Sequence, residues 1–139
     1  MKENRVDPLD IQVGGNHYKT SYQPLELMEK VNMNASCAFI AKYVFRHKDK
    51  KGKEDLQKAL HCCDLLEELG NNWYGYRRTF WDILLGRHKD CDLFDFFKDF
   101  ITQNPQLDDN QQKAFFAIYN KDMESLKKHI YAEIKECYK

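Results

Sequence analysis

At 139 residues the chain has the length of a single domain, and a domain of that size removes roughly two thirds of its unfolded surface from water. Lys+Arg and Asp+Glu stand at 22 each, so the formal net charge is zero; this excludes a strongly basic binder of nucleic acid or anionic membrane and leaves only local attraction. Five cysteines without a C-x-x-C pair suggest neither a disulfide framework nor a zinc ribbon. No run approaches the ~18 apolar residues of a membrane span and no signal-peptide core opens the sequence, so the expectation is a soluble protein of a reducing cytoplasm with no membrane partner.

Residues 1–23 show no periodicity and carry Pro8, Gly14 and Gly15, so an irregular arm is expected, with a short extended piece near Ile11 to Val13. Pro24 suits a first helical position, and Leu25, Leu27, Met28 and Val31 supply an apolar face. Asn34 reads as the cap of a second helix running through Phe39, Ile40, Tyr43 and Val44 to about His47. The basic turn Lys48 to Gly52 interrupts the pattern. From Lys53 onward Leu56, Ala59, Leu60, Cys63, Leu66 and Leu69 recur at helical spacing, and Gly70 follows as a C-terminal cap. The short turn predicts an antiparallel hairpin of the second and third helices, with Phe39, Tyr43, Leu56, Ala59, Leu60 and Cys63 mostly buried.

After Gly70 the composition turns aromatic. Trp73, Tyr74, Tyr76, Phe80 and Trp81 precede Gly86, and Leu93, Phe94, Phe96, Phe97, Phe100 and Ile101 precede Asn104-Pro105. Their helical spacing reads as core and not as base-stacking platforms. Phe115, Phe116, Ile118 and Tyr119 form one further stripe, and Leu126, Ile130 and Ile134 the last. The fold class is therefore all-α: a compact bundle of about six or seven helices with an irregular N-terminal arm. A boundary near Gly70 to Asn72 divides an arm with a helical hairpin, 1–70, from an aromatic-rich helical extension, 71–139.

The stretch from Val13 to Ser21, VGGNHYKTS, has glycines, a lysine and a hydroxyl residue, yet it is not a Walker-type loop. That loop needs glycine immediately before the lysine and six positions before it, where Tyr18 and Val13 stand here. Phosphate chemistry would have to use side chains. Lys42 and Arg46 lie four apart on one helical face, in a run from Lys42 to Lys53 with six Lys/Arg and His47 against one Asp. Glu54, Asp55 and Lys58 open the third helix, where carboxylates ordinarily stabilise the helix dipole; the functional alternative is that one of them holds a sugar hydroxyl or Mg²⁺, or accepts a proton from an attacking oxygen. His17 and Lys19 follow two glycines, as in a segment that folds over a ligand. His61-Cys62-Cys63 and His88-x-x-Cys91 lack the spacing of a metal site, so no metal ligands are expected among them and the cysteines read as isolated thiols. Lys127 serves as a lysine of no expected role.

Three motifs in order, Gly14-Gly15-x-His17-Tyr18, Lys42-Tyr43-x-x-Arg46 and Lys51-Gly52-x-Glu54-Asp55-Leu56-x-Lys58-Ala59, resemble the SaV-like family of small phage proteins. That family looks related to a small phage nucleotide kinase without a P-loop. The resemblance covers Gly14 to Leu69. It implies one site with His17, Lys42, Arg46, Glu54, Asp55 and Lys58 as the matching polar residues: His17, Glu54 and Asp55 are expected as catalytic groups and Lys42, Arg46 and Lys58 on the phosphates, where the neighbouring Lys19 and Lys51 are expected to join them. The implied function is nucleotide binding with phosphoryl transfer to a nucleoside monophosphate, in the host cytoplasm, with Mg²⁺ as the candidate cofactor. The alternative is a phage factor that sequesters a nucleotide signal or inhibits a host defence protein. Zero net charge argues against a nucleic-acid partner, and a homo-oligomer is left open.

Overall fold

In the computed structural model the residues described are 22–75, 84–85 and 89–139. The expected arm with His17 and Lys19, and the aromatics Tyr76, Phe80 and Trp81, lie outside them. Helix α1 spans Pro24–Val31. Pro24 occupies its first turn, where a missing N–H costs nothing, and the Gln23 N–H donates to Glu26 Oε2 at 2.6 Å. Asn32, with φ of 54°, ends it in the left-handed region. Helix α2 spans Ala35–Arg46 and passes into a 3₁₀ turn, His47–Asp49. Helix α3 covers Lys53–Glu68. It closes with Gly70 N–H on the Glu67 carbonyl and Asn71 N–H on the Leu66 carbonyl, the paired bonds that a glycine with positive φ makes possible. Then follow α4, Lys89–Thr102, α5, Asp109–Tyr119, and α6, Met123–Cys137. Asp108 caps α5 through the Gln111 N–H at 2.9 Å, and Asp122 caps α6 through the Ser125 N–H at 3.1 Å.

Among the described residues the structure is six α-helices with no strand, apart from one isolated bridge between Met33 and Tyr74. None of these helices is long and apolar enough to cross a membrane.

The hairpin of α2 and α3 is antiparallel, as the short connection requires. Asn34 at the start of α2 donates its N–H to the Trp73 carbonyl beyond α3, while Arg46 at the other end meets Asp55 in the first turn of α3. A second hairpin, α5 and α6, packs against it through α3 on α6 and α2 on α5, and α1 and α4 pack on each other at its flank. One buried apolar cluster runs through all six helices; it includes Leu27, Ile40, Leu56, Phe97, Phe115 and Ile130, each with 1% or less of its surface exposed. Full burial of such side chains contributes roughly 1.5 to 3 kcal/mol each. The aromatics after Gly70 behave as expected at Trp73, Phe97, Phe100 and Phe115, which are core.

Four expected core positions are on the surface. Leu25, Phe39, Leu69 and Phe94 are 56%, 47%, 74% and 40% exposed. For Phe39 the reason is helical phase. The buried stripe of α2 is Cys37, Ile40, Ala41 and Val44, and Phe39 lies about 100° from Ile40 and farther from the other three, on the opposite side of the helix. Leu69 falls past the last turn of α3, and Leu25 sits in the first turn of α1 away from buried Leu27 and Val31.

Glycine is required at one point in particular. Gly52, with φ 60° and ψ −123°, precedes α3 in a region closed to other residues, and a Cβ there would stand 3.1 Å from the Tyr138 ring. Gly70 also has positive φ, but a Cβ there meets nothing within 4 Å. Gly52→Ala is therefore expected to cost more than Gly70→Ala, which should lose only the backbone strain of about 1 to 2 kcal/mol. Urea unfolding of the two variants measures the difference, and equal losses would remove the Tyr138 contact from the account.

Candidate functional site

Phe39, Lys42, Tyr43 and Arg46 stand at i, i+3, i+4 and i+7, so α2 carries a second stripe beside its buried one. This stripe faces out along the seam with α3. Phe39 and Tyr43 lie with their rings 6.3 Å apart and 19° from parallel. Three cations converge on Tyr43: Lys42 Nζ at 5.8 Å from the ring centre, the Arg46 guanidinium at 5.1 Å and Lys58 Nζ, from α3, at 5.9 Å. Lys42 is also 5.8 Å from the Phe39 ring. Each such approach at an exposed site contributes about 0.5 to 1 kcal/mol, which is enough to hold the heads near the ring without neutralising them. Lys58 is 4.0 Å from Glu54, one turn earlier and 58% exposed; among the described residues Lys42 has no carboxylate at ion-pair distance. Lys42 further borders a groove of about 240 Å³ lined by Gln23, Pro24, Leu25 and Met28.

Asp55 has a different environment from Glu54. It has no exposed surface, and Arg46 holds it through Nη2 to Oδ1 and Nε to Oδ2, both 3.3 Å. The Lys51 backbone N–H donates to Oδ2 at 3.3 Å. Asp55 thus ties the turn to α3 and fixes the Arg46 head, so its role in this geometry is to position Arg46. Lys51 contributes its backbone there, and its side chain is on the surface. The structure therefore brings together Lys42, Arg46, Lys58, Glu54 and Asp55 of the expected set, and adds Phe39 and Tyr43, which sequence phase had assigned to the core.

Behind this face lies a buried polar network that the sequence reading missed. His47, with no exposed surface, hydrogen-bonds Tyr138 Oη through Nδ1 at 2.7 Å, while its Nε2 is 3.9 Å from Glu133 Oε1. Glu133 is 2% exposed and accepts from Cys137 Sγ at 2.7 Å. Lys48 donates to Asp108 Oδ2 at 2.6 Å. The signal was present: Leu126, Ile130, Glu133 and Cys137 share one face of α6, and His47 continues the buried stripe of α2 from Ile40 and Val44. A polar residue in phase with an apolar stripe must find partners inside.

Burial, and then the charge of Lys48, lowers the His47 pKa to about 4. Burial, and then a hydrogen bond with Asp108, raises the Glu133 carboxyl to about 7. Burial works to raise Asp108 as well, but its hydrogen bonds with Glu133, Lys48 and the Gln111 N–H hold it below the ordinary value. Two carboxyls this close do not both ionise readily, which is why their shifts run in opposite directions.

Comparison of the chain with protein-family models, with curated proteins and with solved structures gives no match.

Two outcomes follow from this geometry. Arg46→Ala leaves Asp55 buried without its countercharge, at a cost of about 3 to 5 kcal/mol, and the melting temperature should fall accordingly; an unchanged Tm would show that the pair bears no load. The second concerns pH, on metal-free protein. His47, lowered in the folded state, makes stability rise as pH climbs from about 4 to its unfolded value of 6.5. Glu133, raised from 4.5 to about 7, makes stability fall across that upper window. The two oppose each other, with Lys48, Asp108, Asp55, Cys137 and Tyr138 as the surrounding groups. Glu133→Gln removes the second slope, so variant minus parent stability should increase between pH 4.5 and 7; a flat difference would show that Glu133 titrates normally.

Proposed function

We propose that the protein binds a nucleotide, or a closely similar phosphorylated small molecule, on the α2–α3 face. The observation that carries the reading is the meeting of Lys42, Arg46 and Lys58 around Tyr43, with Phe39 exposed and stacked beside it. A phosphate requires converging cations, and a base requires a flat apolar face; stacking on an aromatic side chain contributes about 1 to 3 kcal/mol per base. Arg46 is held by Asp55, so it offers a fixed charge. Lys42 and Lys58 are free to adjust.

Phosphoryl transfer needs in-line positioning, neutralisation of the equatorial oxygens and a group that orients the acceptor or Mg²⁺. Glu54 is the carboxylate of the expected pair that reaches solvent, so it takes that role on this face, while Asp55 holds Arg46. His17 and Lys19 belong to the set implied by the SaV-like resemblance and lie outside the described residues. A sequestering protein would use the same cations and rings and would not need Glu54.

Lys127 cannot serve as an inert control, because its ammonium bridges Asp64 at 3.0 Å and Glu67 at 2.6 Å, clamping α6 to α3. Lys128, exposed on the same helix, is the suitable control. Lys42→Ala is expected to weaken nucleotide affinity roughly tenfold to a hundredfold, the equivalent of a hydrogen bond to a charged partner, while the chain stays folded and Tm falls only by the few degrees that two exposed cation–π contacts account for. Lys128→Ala should change neither. Affinity is measured by calorimetry against nucleoside mono-, di- and triphosphates, and turnover by mass spectrometry with Mg²⁺-ATP as donor. Turnover lost in Glu54→Gln with binding retained identifies phosphoryl transfer. Tight binding without turnover identifies sequestration. Parent-like affinity in Lys42→Ala would dismiss the face altogether.

A further inference from the structure

We propose that His47, Asp108, Glu133 and Cys137 form a binding site for a divalent transition metal of the zinc class. One ligand atom from each of Asp108, Glu133 and Cys137 lies within 4.8 Å of the others. Independently, His47 Nε2 is enclosed without any hydrogen-bond partner and stands 3.9 Å from Glu133 Oε1, and Glu133 Oε2 is likewise enclosed without a partner. An orphaned buried polar atom costs about 1 to 3 kcal/mol. His47 Nε2 and the Glu133 carboxylate stand beside each other with bonding capacity unused, and a cation at that point would take it up.

The ring of His47 is oriented for this. Its Nδ1 is engaged by Tyr138 Oη at 2.7 Å; with Nδ1–H donating to the phenol oxygen, Nε2 carries the lone pair, the arrangement by which a second hydrogen bond fixes a metal-binding imidazole. Tetrahedral zinc, with bonds of about 2.0 to 2.3 Å, sets its donors about 3.3 to 3.7 Å apart. The two separations at Oε1, 3.9 Å from His47 Nε2 and 2.7 Å from Cys137 Sγ, lie on either side of that range; Asp108, Glu133 and Cys137 form the close set and His47 joins it from the Glu133 side, moving in to complete the tetrahedron. An imidazole nitrogen and a thiolate select zinc or cobalt over magnesium or calcium, which take oxygen donors.

Coordination requires Cys137 as thiolate and Asp108 and Glu133 as carboxylates, and any proton they carry passes to solvent as the ion binds. Lys48 stays paired with Asp108. Cys137 is exposed near the end of α6, which gives the ion a route in. These residues lie at positions 47, 108, 133 and 137, far apart in the chain, which is why inspection of His61, Cys62, His88 and Cys91 suggested no metal.

The test uses the full chain, stripped with chelator under reductant and titrated with Co²⁺ as the probe. Expected are one ion per chain, a thiolate-to-cobalt charge-transfer band, tetrahedral visible bands, displacement by Zn²⁺, and release of the thiol proton on binding. His47→Ala risks the fold, so two milder variants carry the argument. Cys137→Ser should abolish the charge-transfer band while the chain stays folded. Tyr138→Phe should keep the band and weaken Co²⁺ affinity about tenfold to a hundredfold, as loss of an orienting partner does. A band that persists in Cys137→Ser, Co²⁺ bound without a thiolate band, or no stoichiometric binding would each overturn the proposal.

Discussion

The C-terminal end of α2 is buried, and the rest of the structure is arranged around satisfying it. Its last carbonyls have no intrahelical donor. Gln111, itself 2% exposed, reaches across from α5 to donate to the Val44 carbonyl at 2.9 Å, and the His47 carbonyl accepts from the Gly52 N–H at 2.8 Å. The side chains there face the same demand. Arg46 turns to Asp55 on α3, and His47 turns to Tyr138 at the end of α6. Both hairpins are therefore fastened at one place, by bonds that cost more to break than they contribute net when made.

That fastening also decides which face can bind. Arg46 and His47 are neighbours in the chain, yet one looks out along Tyr43 and the other in toward Glu133. Because Asp55 pins the guanidinium against the turn, the cations around Tyr43 stand on a rigid seam between two helices and not on a loop. Rigid elements hold a binding constellation more closely than loops do. The polar residues buried behind the seam, His47, Asp55, Gln111 and Glu133, are the supports on which that rigidity rests.

The sequence showed the helices because their signals are local: Pro24, Asn34, Gly70 and the apolar spacing of α3 all mark what they were read to mark. It showed which charges cluster for the same reason, since Lys42, Arg46, Glu54, Asp55 and Lys58 share one hairpin. It did not show phase at Phe39, because Phe39 and Tyr43 are large aromatics that read as core although they share their stripe with Lys42 and Arg46. It did not separate Asp55 from Glu54 either, because neighbouring carboxylates in a first turn look alike until the tertiary partner Arg46 selects one. The network of His47, Asp108, Glu133 and Cys137 joins three helices and a turn, and only the fold brings such distant positions together.

The exposure of the α2–α3 face bears on which function suits it. At 4 Å a phosphate charge gains about 1 kcal/mol from a cation in bulk water and about 4 where protein partly excludes water. Lys42 and Lys58 act at the wetter end of that range, because Lys58 is 45% exposed in its side chain. Adding one stacked base gives a total of a few kcal/mol to about 8, which corresponds to dissociation constants from millimolar to micromolar. Substrates are commonly held in that range. On the proposed reading, affinity in that range suits a ligand that is bound, used and released, whereas capture of a scarce signal would demand nanomolar affinity and therefore further contacts beyond this one face.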